Sequence, residues 1–437
     1  MYRKAMSQLL EWKAAKDRKP LILTGARQVG KTWLLEEFGR LHYEKVAYVL
    51  MAENPRMQKL FENVSDARAL ISGLEAELGF SIAPENTLII LDEAQEIPKT
   101  ITSLKYFCEQ APEYHIAVAG SMLGVALHAG ISYPVGKVNS LTLYPMTFSE
   151  FVRAVKSEQL AEMLQAPNQA PNYALRSSFH DSFNELLKQY LFIGGMPEVV
   201  NSFANMGDYH AARAIQKQIL ADYERDFSKH APVNVVPRIR MVWNSLPSQL
   251  ARENKKFVYG AMRPGARAKD FELAIQWLLD AGIVIKAQRL RKVAAPLKHY
   301  EDPSAFKLFL VDVGLLGALS NLESRLLLEG DRFFTEFKGA NTEQFVAEQL
   351  IAAGLSLYYH TSDDAKTELD FVVEVDGRPI PVEVKSAGNL HSKSLSHFVN
   401  KHSIERAIKL SLLEEKRNEL ILNVPLYLAE YIVHQGA

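Results

Sequence analysis

The chain has 437 residues, 48% of them hydrophobic and 23% charged, with a net charge of −1 and one cysteine, Cys108. That length predicts several domains at about 100–200 residues each, with enough apolar content for large cores. The neutral balance excludes a global basic field for nucleic acid and leaves only local patches. A lone cysteine excludes an internal disulfide and suits a reducing cytoplasm. Met1 to Pro20 is charged and helix-prone, without the apolar core of a signal peptide. No run approaches the ~18 apolar residues of a membrane span. A soluble, cytoplasmic protein without membrane contact is expected.

The first informative stretch is Gly25-Ala26-Arg27-Gln28-Val29-Gly30-Lys31-Thr32, which fits G-x-x-x-x-G-K-[ST]. Leu21-Ile22-Leu23-Thr24 before it reads as a short buried parallel strand. Trp33-Leu34-Leu35-Glu36-Glu37-Phe38 after it carries helix formers with apolar residues three to four apart. Strand, glycine loop and helix follow in the order that a phosphate-binding loop requires. The glycines let the backbone wrap a polyphosphate, with loop amides and the helix N-terminus, out to Trp33, facing the negative charge. Lys31 can reach the β- and γ-phosphates, and the Thr32 hydroxyl can ligate the Mg²⁺ they carry. A chance match would be a turn that merely caps a helix; the flanking pattern argues for ATP with Mg²⁺.

Val46-Ala47-Tyr48-Val49-Leu50 makes a second buried strand, and Thr87-Leu88-Ile89-Ile90-Leu91-Asp92-Glu93 a third that ends in two acids. Asp92 then sits at the carboxyl edge of a sheet, where it can hold Mg²⁺ through water. Glu93 is placed to orient and deprotonate an attacking water. A fourth strand, His115 to Gly120, delivers Ser121 beside the γ-phosphate, and Leu141-Thr142-Leu143 can be a fifth. Strands alternating with helices predict a doubly wound α/β domain with its ligand at the carboxyl ends.

These residues, with Leu91-Asp92-Glu93-Ala94-Gln95, Gly120-Ser121, Tyr144-Pro145-Met146-Thr147-Phe148-Ser149-Glu150-Phe151, Gly194-Gly195-Met196-Pro197-Glu198 and Asp222-Tyr223-Glu224-Arg225-Asp226, resemble a family of prokaryotic AAA-type ATPases. That family fuses the ATPase to a C-terminal domain of unassigned function. The likeness covers almost the whole chain. Met122 departs from it, standing where the family often has a second small hydroxyl residue.

The expected domains are an AAA-type P-loop ATPase core over 1–155, a linker and helical lid over 156–230, a winged helix over 231–325 and a nuclease-like α/β domain over 326–437. Gln165 to Asn172 is a polar, proline-containing linker, and Phe179 to Asp226 reads as helices broken at Gly194-Gly195 and Met206-Gly207. Ala266 to Asp270 opens a helix with a core stripe of Phe271, Ala274, Ile275, Leu278 and Leu279. Ile283-Val284-Ile285 and Lys307 to Val311 then supply two strands of a wing around Arg289-Leu290-Arg291-Lys292. Arg263, Arg267 and Lys269 stand near the helix start, where recognition helices touch DNA. DNA contact and a packing or protein-contact role stay open for this module.

In the last domain, Asn341 or Thr342 is expected to cap a helix through Ile351, with Glu343, Val346, Ala347 and Leu350 on one face. Asp376-Gly377 is a two-residue hairpin signal. It sets Val375 opposite Arg378 and, counting back, Asp370 opposite Glu383 and Glu368 opposite Lys385, all on one face. Facing carboxylates repel unless a cation separates them, which favours a hard divalent metal. Lys385 can orient a water or stabilise a pentavalent phosphate. Asp370 with Glu383-Val384-Lys385, after a helix carrying Glu343, is similar to the PD-(D/E)xK nucleases, although Leu369 stands where a proline is usual. The resemblance implies metal-dependent phosphodiester hydrolysis, with Glu343, Asp370 and Glu383 around the ion and Lys385 catalytic. A charged exposed hairpin is the plain alternative.

The expected function is ATP hydrolysis, with Lys31 and Glu93 catalytic, coupled to a DNA-binding, nuclease-like module. The alternative is an ATP-dependent switch or scaffold whose last domains bind protein and do not cut DNA. The arginine that would complete the ATP site across a subunit boundary cannot be picked from Arg153, Arg225 and others, so an oligomer stays open.

Overall fold

The computed structural model describes residues 1–63, 65–128, 133–165, 170–252, 256–323, 339–362, 368–385, 393–402, 404–418 and 420–436. The chain divides into two compact units. One comprises Met1–Tyr144 with Asp280–Ile283, the other Pro145–Leu279 with Val284–Ala437.

The first unit runs α1 (Ala5–Ala14), β1 (Leu21–Thr24), α2 (Lys31–His42), β2 (Lys45–Leu50), α3 (Pro55–Asn63), α4 (Ala67–Leu78), β3 (Thr87–Asp92), α5 (Lys99–Gln110), β4 (His115–Ala119), α6 (Leu123–His128) and β5 (Asn139–Thr142). The strands form one parallel five-stranded sheet in the order β2-β3-β4-β1-β5. Strands β3 and β4 are buried along their whole length, which is why they read as continuous apolar runs. Met57, Phe61, Leu70, Leu74, Ile101, Leu104 and Phe107 of α3, α4 and α5 pack with Val49, Ile89, Leu91 and Val118 of the sheet. Asp66 caps α4 by accepting from the Ala69 amide at 2.8 Å, and Gly79 ends it in the left-handed conformation at φ 75°. Because the strands are parallel and β4 lies between β1 and β3, their carboxyl ends open side by side.

The second unit begins with helices α7 (Phe148–Val155), α8 (Glu158–Gln165), α9 (Ala170–Ser178), α10 (His180–Ile193), α11 (Pro197–Met206), α12 (Tyr209–His230), α13 (Val236–Leu250) and α14 (Ala268–Asp280). It continues with β6 (Val284–Leu290), β7 (Glu301–Leu310), α15 (Val313–Leu319), α16 (Ala340–Ala352), β8 (Tyr358–Thr361), β9 (Glu368–Val375), β10 (Arg378–Val384), α17 (Lys393–His402), β11 (Ala407–Ser411), β12 (Lys416–Asn418) and β13 (Ile421–Pro425). The helices break at Gly194-Gly195 and at Gly207, where glycine signals stand in the sequence. Residues 166–169 of the expected linker lie outside the described residues, and α8 and α9 flank them.

The two strands expected around Arg289 to Lys292 form the antiparallel pair β6–β7, with a bulge at Gln288/Arg289. The pair does not stand alone. Strand β6 also pairs in parallel with β8, so one eight-stranded sheet runs β12-β13-β11-β10-β9-β8-β6-β7. This sheet draws strands from both of the expected domains, 231–325 and 326–437. The boundary between them lies outside the described residues, but the sheet continues across it. The physical reason is that the second edge of β6 carries backbone donors and acceptors that β8 satisfies.

Helix α16 is the centre of this unit. It starts at Ala340 after Gly339, not at an Asn341 or Thr342 cap, and every residue from Asn341 to Leu350 is buried. Its polar side chains serve as internal ties. Gln344 exchanges bonds with Leu310, accepting from its amide at 2.8 Å and donating to its carbonyl at 2.6 Å. Glu348 accepts from the Val313 amide at 2.8 Å, while Gln349 accepts from Phe148 N at 2.9 Å and donates to the Tyr190 hydroxyl at 3.2 Å. The Gly194-Gly195 and Tyr144-to-Phe151 motifs belong to the same network. Met146 N donates to the Gly195 carbonyl at 2.7 Å, and Gly195 N to Asp312 at 2.5 Å. Burial pushes the Asp312 carboxyl up to about 6, against the pull of the Gly195, Leu315 and Gly314 amides. Among the described residues no helix is long and apolar enough to cross a membrane.

A Cβ at position 195 would stand 2.0 Å from the Met146 carbonyl oxygen, a backbone atom that cannot swing aside. Gly195→Ala is therefore expected to cost about 3 kcal/mol or more and to lower the melting temperature by roughly 6 °C or more. Calorimetry checks this; an unchanged melting curve contradicts the packing described.

Candidate functional site

The loop between β1 and α2 is built from backbone conformations that few residues adopt. Gly25 has φ 138°, Gln28 66° and Gly30 90°. A side chain at position 25 would also meet the Leu143 carbonyl oxygen at 2.2 Å. These constraints hold the expected cradle residues Gly25, Ala26, Arg27, Gln28, Val29, Gly30, Lys31 and Thr32 in one turn at the carboxyl end of β1. Trp33 follows in α2 and is 39% exposed.

Lys31 is buried, and its ammonium donates to the carbonyls of Gly25 at 2.9 Å and Ala26 at 2.8 Å. Burial lowers its pKa to about 8, against the pull of Glu93 and Asp92 and with the help of Arg27. The Thr32 hydroxyl donates to Asp92 Oδ2 at 2.7 Å, which links the glycine loop on β1 to the acidic end of β3. Tyr48, from β2, donates to the same oxygen at 3.1 Å. Burial, with the Asp92 charge next, raises the Tyr48 phenol above its ordinary range and keeps it a donor. A threonine hydroxyl and a carboxylate are hard oxygen donors, so this pair fits Mg²⁺.

Glu93 follows the strand in a left-handed conformation, φ 51°, with its amide bonded to Asp92 Oδ1 at 2.9 Å. That turn sends its side chain off the strand axis. Its carboxylate accepts from Ser121 Oγ at 3.3 Å and closely from the Gln95 side-chain amide. Ser121 comes from the end of β4, so the acid, the hydroxyl and the loop lysine converge because β4 lies between β1 and β3. Sequence reasoning missed Tyr48 and Gln95. Gln95 also packs on Gly120, where a Cβ would stand 2.0 Å from Gln95 Oε1. Of the arginines considered for the site, Arg225 is exposed and pairs with Asp222 at 2.5 Å, while Arg153 pairs with Glu158 at 3.0 Å.

The second cluster lies on the sheet of the second unit. Asp376 and Gly377 have φ 50° and 72°, and the hairpin registers Val375 with Arg378 through Phe371 with Val382. Asp370 and Glu383 follow that last pair, and the Glu383 charge acts on the Asp370 carboxyl. Asp370 accepts from the Val384 amide at 2.7 Å. Burial first, then Glu343, then Glu383, raise its pKa to about 8, with Lys307 and the Val384 amide opposing. Glu343 and Glu383 thus both act on the Asp370 carboxyl, and Lys385 Nζ stands 2.6 Å from Glu383.

The cation in this cluster is the part that sequence reasoning missed. Lys307 of β7 is fully buried, with its ammonium 3.0 Å from Glu368, 3.7 Å from Glu343 and 4.9 Å from the Tyr359 ring centre. Burial alone would lower its pKa, but Glu343, Asp370 and Glu368 outweigh it and hold it charged. Lys409 of β11 stands opposite Glu383 in the parallel ladder. Lys307, Lys385 and Lys409 thus stand among the acids of this cluster. Beside the divalent ion that facing carboxylates favour, lysines therefore also neutralise acids of this cluster: Lys307 lies near Glu343 and Glu368, and Lys385 beside Glu383. Among the described residues no group of three or more His, Cys, Asp or Glu has an arrangement that would hold a metal ion. The only sequence sign of Lys307 was a charge heading an apolar strand.

Residues 17–152 match a family described as an AAA domain. Residues 184–326 and 338–428 match two families, each described as a domain of unknown function. The first unit is an AAA-type P-loop NTPase domain. Across most of its length the chain is similar to two uncharacterized proteins, Rv2008c of Mycobacterium tuberculosis and Mb2031c of Mycobacterium bovis. Each is 28% identical over 384 residues, covering 85% of this chain and 71% of the relative. Among solved structures, the Walker-type ATPase PABY2304 of Pyrococcus abyssi is 14% identical, covering 73% of this chain and 95% of that one, at a TM-score of 0.44. The Aeropyrum pernix ORC1 protein in complex with DNA is 16% identical, covering 74% and 93%, at a TM-score of 0.26. Both likenesses are too loose to bear on function.

A lysine with a pKa near 8 gives a signed pH dependence. Polyphosphate needs the ammonium, so ATP affinity is full below about 8 and falls as pH rises through it. Above that pH, binding takes up a proton, because phosphate restores the lysine charge. Titration calorimetry at pH 9 in buffers of different ionisation heat reads the uptake. Affinity and heat that are the same at pH 7 and 9.5 would contradict it.

Proposed function

We propose that the chain binds ATP with Mg²⁺ in the first unit and hydrolyses it. The observation that carries this is the convergence of Lys31, Thr32, Asp92, Glu93 and Ser121 at the carboxyl ends of three adjacent strands. Lys31 and the loop amides bind the phosphates, Thr32 and Asp92 hold the ion, and Glu93 takes a proton from the attacking water. Ser121 and Gln95 position the Glu93 carboxylate.

For the second unit, two observations support two readings. The action of the Glu343 and Glu383 charges on Asp370, with Lys385 beside Glu383, supports a nuclease-like site acting on DNA, with Glu343 as a further ligand of a divalent ion. The lysines among these acids, Lys307 above all, support a nucleotide-dependent switch in which this unit binds a partner without cutting. In either reading ATP turnover biases the state of the second unit.

Phosphate release by the full chain, with and without DNA, tests the proposal. Lys31→Ala is expected to abolish turnover by losing ATP affinity. Glu93→Gln is expected to keep ATP binding and lose ~100-fold or more in rate. Turnover by Glu93→Gln at the rate of the parent chain would remove the assigned base. Mn²⁺- or Mg²⁺-dependent DNA cleavage that disappears in Lys385→Ala selects the nuclease reading; intact DNA with every ion selects the switch.

A further inference from the structure

The first unit contains a buried arginine that lies outside the nucleotide motifs. Arg3 precedes α1 and exposes only 4% of its surface. Its Nη1 donates to the Val29 carbonyl at 2.8 Å, and its Nη2 to the Tyr144 carbonyl at 2.6 Å. Val29 lies in the phosphate-binding loop, immediately before Gly30 and Lys31. Tyr144 follows Leu143, whose amide donates to the Thr24 carbonyl at 2.9 Å and whose own carbonyl crowds Gly25. The start of the loop therefore packs on Leu143, and its far end is tied through Arg3 to the next residue.

The geometry of the peptide bond gives this tie a consequence. In a planar trans peptide the C=O and the following N–H point in opposite directions. Holding the Val29 carbonyl against the buried guanidinium turns the Gly30 N–H the other way, toward the open side of the loop. Gly30, at φ 90°, has no side chain to fix that plane by packing. The guanidinium suits this task because its donors form a rigid fork that spans two carbonyls, which a single ammonium does not reproduce. It also places a permanent positive charge behind an anion-binding loop.

We propose that Arg3 is a positioning residue for polyphosphate binding. It fixes the Val29–Gly30 peptide so that the Gly30 amide is presented to the phosphates of a nucleoside di- or triphosphate. The assignment rests on the reading of this loop as the ATP site. An arginine that merely supports the fold would stabilise the unit as a whole. A positioning arginine controls the order of one loop and the affinity for phosphate.

The test uses the full chain with Arg3→Gln and the milder Arg3→Lys. Hydrogen exchange of peptides covering residues 25–32 is measured without nucleotide, beside peptides from β3 and β4. Affinities for Mg²⁺-ATP and inorganic triphosphate are titrated, and kcat and KM are taken from turnover. Both variants are expected to raise exchange in the loop while β3 and β4 keep the parent's protection. In Arg3→Gln both affinities are expected to fall roughly tenfold to a hundredfold. Arg3→Lys should lose less, since one carbonyl contact survives. KM should rise more than kcat falls, because Arg3 touches neither Glu93 nor Ser121 in these bonds. Loop exchange and triphosphate affinity within about twofold of the parent in either folded variant would overturn the assignment. So would loosening spread equally over β3 and β4. If the parent chain binds no ATP, the ATP-site reading fails, and the exchange measurement alone still decides whether Arg3 orders the loop.

Discussion

The hydrogen bond from Thr32 to Asp92 joins the two ends of the nucleotide site, and strand order is what makes it possible. In a parallel sheet every strand delivers its last residue to the same edge, and here β4 separates β1 from β3. The loop after β1, the acids after β3 and the hydroxyl after β4 consequently meet in one crevice. The three groups are far apart in sequence. A different strand order with the same motifs would scatter them. The buried apolar runs of β1, β3 and β4 therefore serve the chemistry indirectly, since they are the residues that place these strands at the centre of the sheet.

The second unit depends on a different constraint, the burial of a helix that is polar along much of its length. Burying unpaired polar groups is costly, so α16 has to find partners in every direction. Gln344, Glu348 and Gln349 find them in Leu310, Val313, Phe148 and Tyr190. Helices that read as a lid, strands that read as a wing and the C-terminal sheet are thereby tied into one body. The same helix carries Glu343 into the acid–lysine cluster. The cluster and the tie network thus share a single element, α16.

How much of this was legible follows from how local each signal is. The glycine loop, its flanking strand and helix, and the acids of β3 are contiguous patterns, and each stands where the pattern puts it. The hairpin register came from two turn residues, Asp376 and Gly377, because a two-residue turn fixes the pairing of everything behind it. What was not legible depends on distant partners. The parallel pairing of β6 with β8 has no signature in either strand, so a single sheet running through both was not expected. Lys307 reaches its acids only through that sheet order. Tyr48 and Gln95 looked like ordinary strand and turn residues, and they acquire a role only from what Asp92 and Glu93 bring close. The cap of α16 was misplaced because Asn341 and Thr342, good capping residues on a surface, are here drawn into the core.

The central claim is that the loop of residues 25–32 and the acids of β3 form one ATP site. It is tested most directly by a structure of the protein with a non-hydrolysable ATP analogue and Mg²⁺. The account predicts the Lys31 ammonium on the β- and γ-phosphates in place of the Gly25 and Ala26 carbonyls, the ion on Thr32 with Asp92 behind it, and Glu93 facing the γ-phosphate. An analogue bound elsewhere, or phosphates in the loop with Asp92 and Glu93 turned away from them, would contradict it.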